Sequence, residues 1–126
     1  MPHPYYSHAM LGISCFPAAF GLGHILFPEA MMRAIEFPVP SDPAARALSR
    51  SLMAMLGARD IGASYVLYLI WRTKDQRLMG FGLLTALGFA VFDGVVSRAL
   101  IGGGEWNHWS IAPVAAGVSA GLLGWI

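Results

Sequence analysis

Residues 78–101 read "LMGFGLLTALGFAVFDGVVSRALI" and carry only two charged side chains, Asp93 and Arg98. An apolar run of this length matches the roughly 20 residues that a helix needs to cross the hydrocarbon core of a bilayer. Three more stretches have the same character, at about 9–27, about 51–71 and about 109–126. The chain is 56% hydrophobic and 12% charged, with a mean hydropathy of +0.59, too little polar surface to coat a soluble domain of 126 residues. These features predict an all-α fold, an integral membrane bundle of four transmembrane helices in a single domain over 1–126, surrounded by membrane lipid.

The connections set the expected topology. Pro28 closes the first span, and "SDP" at 41–43 is a helix-start signature, so the second span can begin before Ser51. "RTKDQR" at 72–77 is short and polar and predicts a tight antiparallel pair of spans two and three. "GGGEWNH" at 102–108 is a second turn, with Trp106 and Trp109 placed as interfacial anchors. The long proline-rich loop at 28–50 contains "PEAMMRAIEF", read as an interfacial helix begun by Glu29 and ended by Glu36. Arg72, Lys74 and Arg77 favour cytoplasmic termini, while Arg33, Arg46 and Arg50 in the long loop pull the other way. Small residues recur at four-residue spacing, as in Gly82, Ala86 and Ala90, or Gly117 and Gly121. Such stripes serve packing within one bundle or pairing into a homodimer.

Several function classes drop out. A net charge of +1 without a basic run gives nothing for nucleic acid to bind. The single Cys15 excludes an intramolecular disulfide and CxxC chemistry. No Lys or Arg precedes the first apolar segment, which speaks against a cleaved signal peptide. No P-loop, dinucleotide fingerprint or Ser–His–Asp order is present, and His24, His108 and a carboxylate lack the spacing of a metal site. No cofactor or metal is therefore expected.

What remains is "GARDIGAS" at 57–64, with Arg59 and Asp60 side by side inside a span. Counted from the end nearest the 28–50 loop, called the far side, Asp60 and Asp93 both lie roughly 12–14 Å deep at about 1.5 Å per residue. Asp93 shares a helical face with Gly82, Ala86, Ala90 and Ser97, while Asp60 shares one with Gly57 and Ser64, and Tyr68 lies a further turn on. Arg59 is turned about 100° from Asp60 and can reach a neighbouring helix. Arg98 lies nearer the far surface, and His24 sits in the far half of span one. Ionisable groups at this depth cost several kcal/mol unless paired or solvated. They serve either a structural ion pair such as Arg59 with Asp93, or a ligand-binding or catalytic site.

Two carboxylates in one low-dielectric pocket divide into an acid and a base, and an arginine orients the ionised partner. One can protonate an epoxide oxygen while the other activates water or an internal hydroxyl. Soluble epoxide hydrolases of the limonene type use an Asp–Arg–Asp set in this way, on an unrelated fold. The chain also resembles a family, through "GARDIG" at 57–62, "FDG" at 92–94 and the tryptophan-bearing turn before span four. These are similar to small four-helix membrane proteins of fungal secondary-metabolite clusters, of the type of the aurovertin and citreoviridin epoxide hydrolase/cyclases. The resemblance implies opening of polyketide-like epoxides in the endoplasmic reticulum membrane. Asp60, Asp93 and Arg59 are the expected catalytic set, with His24, Tyr68, Ser64 and Arg98 positioning a lipophilic substrate or water. The rivals are a terpene-type cyclase or isomerase, and a non-enzymatic membrane subunit or carrier whose buried charges are structural.

Overall fold

A computed structural model describes residues 4–126; residues 1–3, part of the N-terminal stretch weighed as a leader, lie outside it. The described residues form helices and no strand. Helix α1 spans Pro4–Leu26, α2 Pro28–Ala34, α3 Pro43–Arg72, α4 Gln76–Ile101, α5 Trp106–Trp109 and α6 Ala112–Leu123. Three of them, α1, α3 and α4, are long and apolar enough to cross a membrane.

Local chemistry sets the boundaries. The "SDP" signature opens α3: Asp42 accepts the Ala45 N–H at 2.8 Å, and Pro43 occupies the first turn, where it has no N–H to leave unpaired. Asp75 caps α4 in the same way through Leu78 N–H at 2.9 Å. Gly102 ends α4 and Gly124 ends α6, each in the left-handed conformation that costs glycine little. Helix α2 falls inside the stretch read as an interfacial helix, with Glu36 two residues past its end at φ +67°.

The fourth expected span is corrected. Residues 109–126 do not form one membrane-length helix, because α6 has 12 residues and rises only about 18 Å. Pro113 stands in its first turn and lacks the N–H that would bond the Trp109 carbonyl, so the chain breaks between α5 and α6.

Helix pairing also departs from expectation. The closest pair is α1 with α3, not α3 with α4, and α4 packs mainly on α6. Glycines decide this. A Cβ on Gly21 would sit 2.6 Å from the Gly57 carbonyl oxygen, so the α1 and α3 backbones touch as no larger residue allows. Gly80 receives Leu123, and Gly94 receives the flat face of Trp109, whose indole N–H donates to the Val91 carbonyl at 3.2 Å. Trp109 is thus an inward packing residue, while Trp106 is 70% exposed. The two pairs close on one another at the chain-terminal end, around Met10, Leu67, Met79, Leu83, Ala115 and Leu122. At the far end they stand apart.

Candidate functional site

The gap between the pairs is a cavity of about 360 Å³ in the far half of the bundle. Phe16 and Phe20 line it from α1, Leu56 and Ala63 from α3, Ala86 and Phe89 from α4. The small-residue face of α4 therefore forms a cavity wall over Ala86, Ala90 and Asp93, while Gly82 on the same face packs against Leu67 and Ile70 of α3. Two loops meet over its far end: Asn107 Nδ2 donates to Glu36 Oε1 at 3.2 Å, and Gly104, at φ +77°, lies against the Ile35 carbonyl.

Arg59 crosses the gap. Its Nη1 and Nη2 donate to Asp93 Oδ1 and Oδ2 at 3.0 and 2.6 Å, a bidentate bond from α3 to α4. Its Nε and Nη2 also donate to Asp60 Oδ1, at 3.1 and 2.9 Å. The guanidinium lies 5.6 Å from the centre of the Phe89 ring, a cation–π contact. One planar fork thus holds both carboxylates, which a lysine ammonium cannot do with the same geometry. The depth-counted layer of Asp60 and Asp93 is present, with Arg59 between them.

On the other side of Asp60, His24 Nδ1 approaches Oδ2 to 3.4 Å, in electrostatic reach but out of line for a hydrogen bond. The Gly21–Gly57 crossing explains the meeting, since His24 and Asp60 each follow their glycine by three residues, nearly one turn. His24 is 5% exposed, and neither ring nitrogen has a hydrogen-bond partner among the described residues. With both carboxylates ionised, Arg59, Asp60 and Asp93 sum to −1. One proton on Asp60 Oδ2 or on His24 neutralises the set.

The other expected residues lie elsewhere. Ser64 is buried below Asp60, with no partner for its hydroxyl among the described residues, and does not line the cavity. Tyr68 stacks on Trp71 and accepts from Arg72 Nη1 at 3.4 Å, outside the cavity. Arg98 is drawn away by Glu105, to whose Oε1 it donates at 2.7 Å. His108, weighed from the sequence only as a metal ligand, and Asn107, Ser110 and Ile111, which periodicity missed, are brought into the cavity wall by α5 and the following turn. The signal was Pro113, visible inside an expected span. Among the described residues, no group of three or more His, Cys, Asp or Glu is placed to hold a metal ion.

No curated protein and no solved structure matches this chain. A family model does, over residues 14–122, a span that includes Arg59, Asp60, Asp93 and both cavity histidines. The chain belongs to the DUF4267 family, described as a domain of unknown function.

Proposed function

We propose that the protein is a membrane-embedded epoxide hydrolase/cyclase acting on lipophilic, polyketide-like epoxides drawn from the bilayer. The observation that carries this reading is the single guanidinium shared by Asp60 and Asp93 at the edge of a largely apolar cavity. The bundle would sit in the endoplasmic reticulum membrane with α5 and α6 together in place of a fourth span, and with its termini cytoplasmic, as the basic α3–α4 loop favours.

The two carboxyl groups differ in what Arg59 leaves free. Both Asp93 oxygens accept from it, which orients the carboxylate and leaves one lone pair on each oxygen for a water proton. Asp60 is held through Oδ1 alone, so Oδ2 is the atom on which a transferable proton sits. In the step we infer, Asp93 takes a proton from water as the water oxygen bonds to an epoxide carbon. The epoxide C–O bond breaks, and its oxygen takes the proton from Asp60 Oδ2. Asp93 is left protonated and Asp60 ionised; His24, 3.4 Å from Oδ2, is placed to return a proton to Asp60.

The test is turnover of 1,2-epoxydodecane by the purified protein in nanodiscs made up in ¹⁸O-water. A diol with one ¹⁸O is expected, and Asp60→Asn and Asp93→Asn each should lower the rate about 10²–10⁴-fold. Asn variants that fold and keep full turnover, or a wild type that consumes no epoxide, would overturn the reading.

A non-enzymatic subunit is the second reading, favoured by the completeness of the Arg59–Asp93 bridge. It requires that the double variant Arg59→Asp with Asp93→Arg restore stability and biological function together. The catalytic reading requires that stability alone recover.

A further inference from the structure

The hydrolytic step uses His24 through Asp60 and gives His108 nothing to do. Yet Nε2 of His108 is buried without a hydrogen-bond partner among the described residues. The ring lines the same cavity as Asp60 and Asp93, approaching from α5. Its surroundings include Asp93 on α4, Arg59 and Asp60 on α3 and His24 on α1, all near enough to act on it electrostatically. A buried imidazole nitrogen without a partner is costly, so a ligand that pairs with it gains correspondingly.

The chemistry of that ligand can be narrowed. An epoxide oxygen only accepts hydrogen bonds, and Asp60 already serves it. In the neutral tautomer with its proton on Nδ1, Nε2 presents a lone pair and needs a donor. Asn107, Ser110 and the charged layer are the other polar side chains on the cavity wall and none of them bonds to Nε2, so that donor comes from the substrate or from water.

We propose that His108 is the base of the cyclising branch of that reaction: it takes the proton of a substrate hydroxyl, so that the substrate's own oxygen, in place of water, opens the ring. This rests on the epoxide reading above and names the residue that divides cyclisation from hydrolysis. The hydroxyl O–H bond breaks, with its proton going to His108 Nε2. The freed oxygen forms the new C–O bond at an epoxide carbon as the epoxide C–O bond breaks. The epoxide oxygen takes the proton from Asp60 Oδ2. One proton is gained at His108 and one lost at Asp60, so the charge of the site is unchanged, and no oxidant or co-substrate is required. The product is a cyclic ether bearing one hydroxyl.

The probe is racemic 4,5-epoxydodecan-1-ol, whose hydroxyl can close a five-membered ring, given to the protein in nanodiscs in ¹⁸O-water. The wild type is expected to give mainly the tetrahydrofuran product, without ¹⁸O. His108→Gln should lower the ratio of cyclic ether to ¹⁸O-triol at least about tenfold, total epoxide consumption falling as the cyclic route is lost while ¹⁸O-triol is still formed. An unchanged ratio, or a wild type that makes only ¹⁸O-triol, overturns the proposal and leaves the epoxide reading standing. No epoxide consumption by the wild type overturns both.

A pH series on the wild type needs no variant and serves if His108→Gln does not fold. A protonated His108 cannot accept the hydroxyl proton, so the cyclic fraction falls on the acid side. The fall is read across the histidine range, centred at about 6.5. A product ratio flat through that range counts against His108.

Discussion

The two halves of the bundle are built from the same long helices and do opposite things. In the terminal half, Met10, Met79, Leu83 and Leu122 are at most 2% exposed and fill the space where the two helix pairs meet. In the far half, the corresponding walls carry Ala63, Ala86 and Ala90, and the space stays open around Arg59. Lipid tails are as apolar as leucine, so burial alone does not drive such helices together; close packing does. The filled half therefore holds the pairs together, and the open half can carry charges that would otherwise be costly. Each pair is locked by glycines, at Gly21–Gly57 in one and at Gly80 and Gly94 in the other. The open half is thus a gap between two rigid walls.

Substitutions can break that division, in descending order of effect. On the proposed epoxide chemistry, Asp93→Asn should cost about 10²–10⁴ in turnover while detergent-solubilised protein keeps its helical circular dichroism. Met79→Ala should do the reverse, lowering stability by about 2–5 kcal/mol in denaturant unfolding with turnover per folded molecule unchanged. If Met79→Ala abolishes activity at full folding, the halves are not separable. Gly57→Ala lies between the two classes. Its Cβ has no room against the Gly21 carbonyl, so α1 must move off α3, at about 1–3 kcal/mol, and His24 moves from Asp60. Both melting temperature and turnover should fall together.

The smallest effect lies outside the bundle, at the α2–α3 contact. The Arg50 guanidinium, donating to Glu29 through Nε at 3.0 Å, holds that carboxyl below its ordinary pKa. A carboxylate lowered on folding adds stability above its unfolded pKa, and that share is lost as pH falls through the lowered value. Wild-type melting temperature should drop slightly on the acid side, and Glu29→Gln should flatten that limb without touching turnover.

The charged layer was legible because a helix rises by a fixed increment per residue. Counting from the span ends placed Asp60 and Asp93 at one depth, and the 100° step of Arg59 turned it toward α4. The helix starts at Asp42 and Asp75 follow from side chains that cap their own backbone. The partner of each helix was not legible. A short polar loop argued for α3 with α4, while the decisive contact is a backbone approach between glycines 36 residues apart in sequence. Tyr68 was placed on the right helix, but its ring goes to Trp71 and away from the cavity. Arg98 was assigned by depth alone, and Glu105 across the turn outweighed it. His108 was assigned to the turn at 102–108 and weighed only as a metal ligand, while Ser110 and Ile111 escaped because a span interrupted by Pro113 was counted as continuous.

That interruption has a consequence for how the protein sits in its solvent. Trp109 packs on Gly94, so the turn at Ser110 and Ile111 lies beside Asp93, about eight residues or 12 Å below the far end of α4. Loose backbone at that depth is excluded wherever hydrocarbon would touch it, and is allowed where it borders protein or a wetted space. Ser110 and Ile111 both border the cavity. The broken helix thus sets a backbone turn at the depth of Asp93, against the most polar part of the interior.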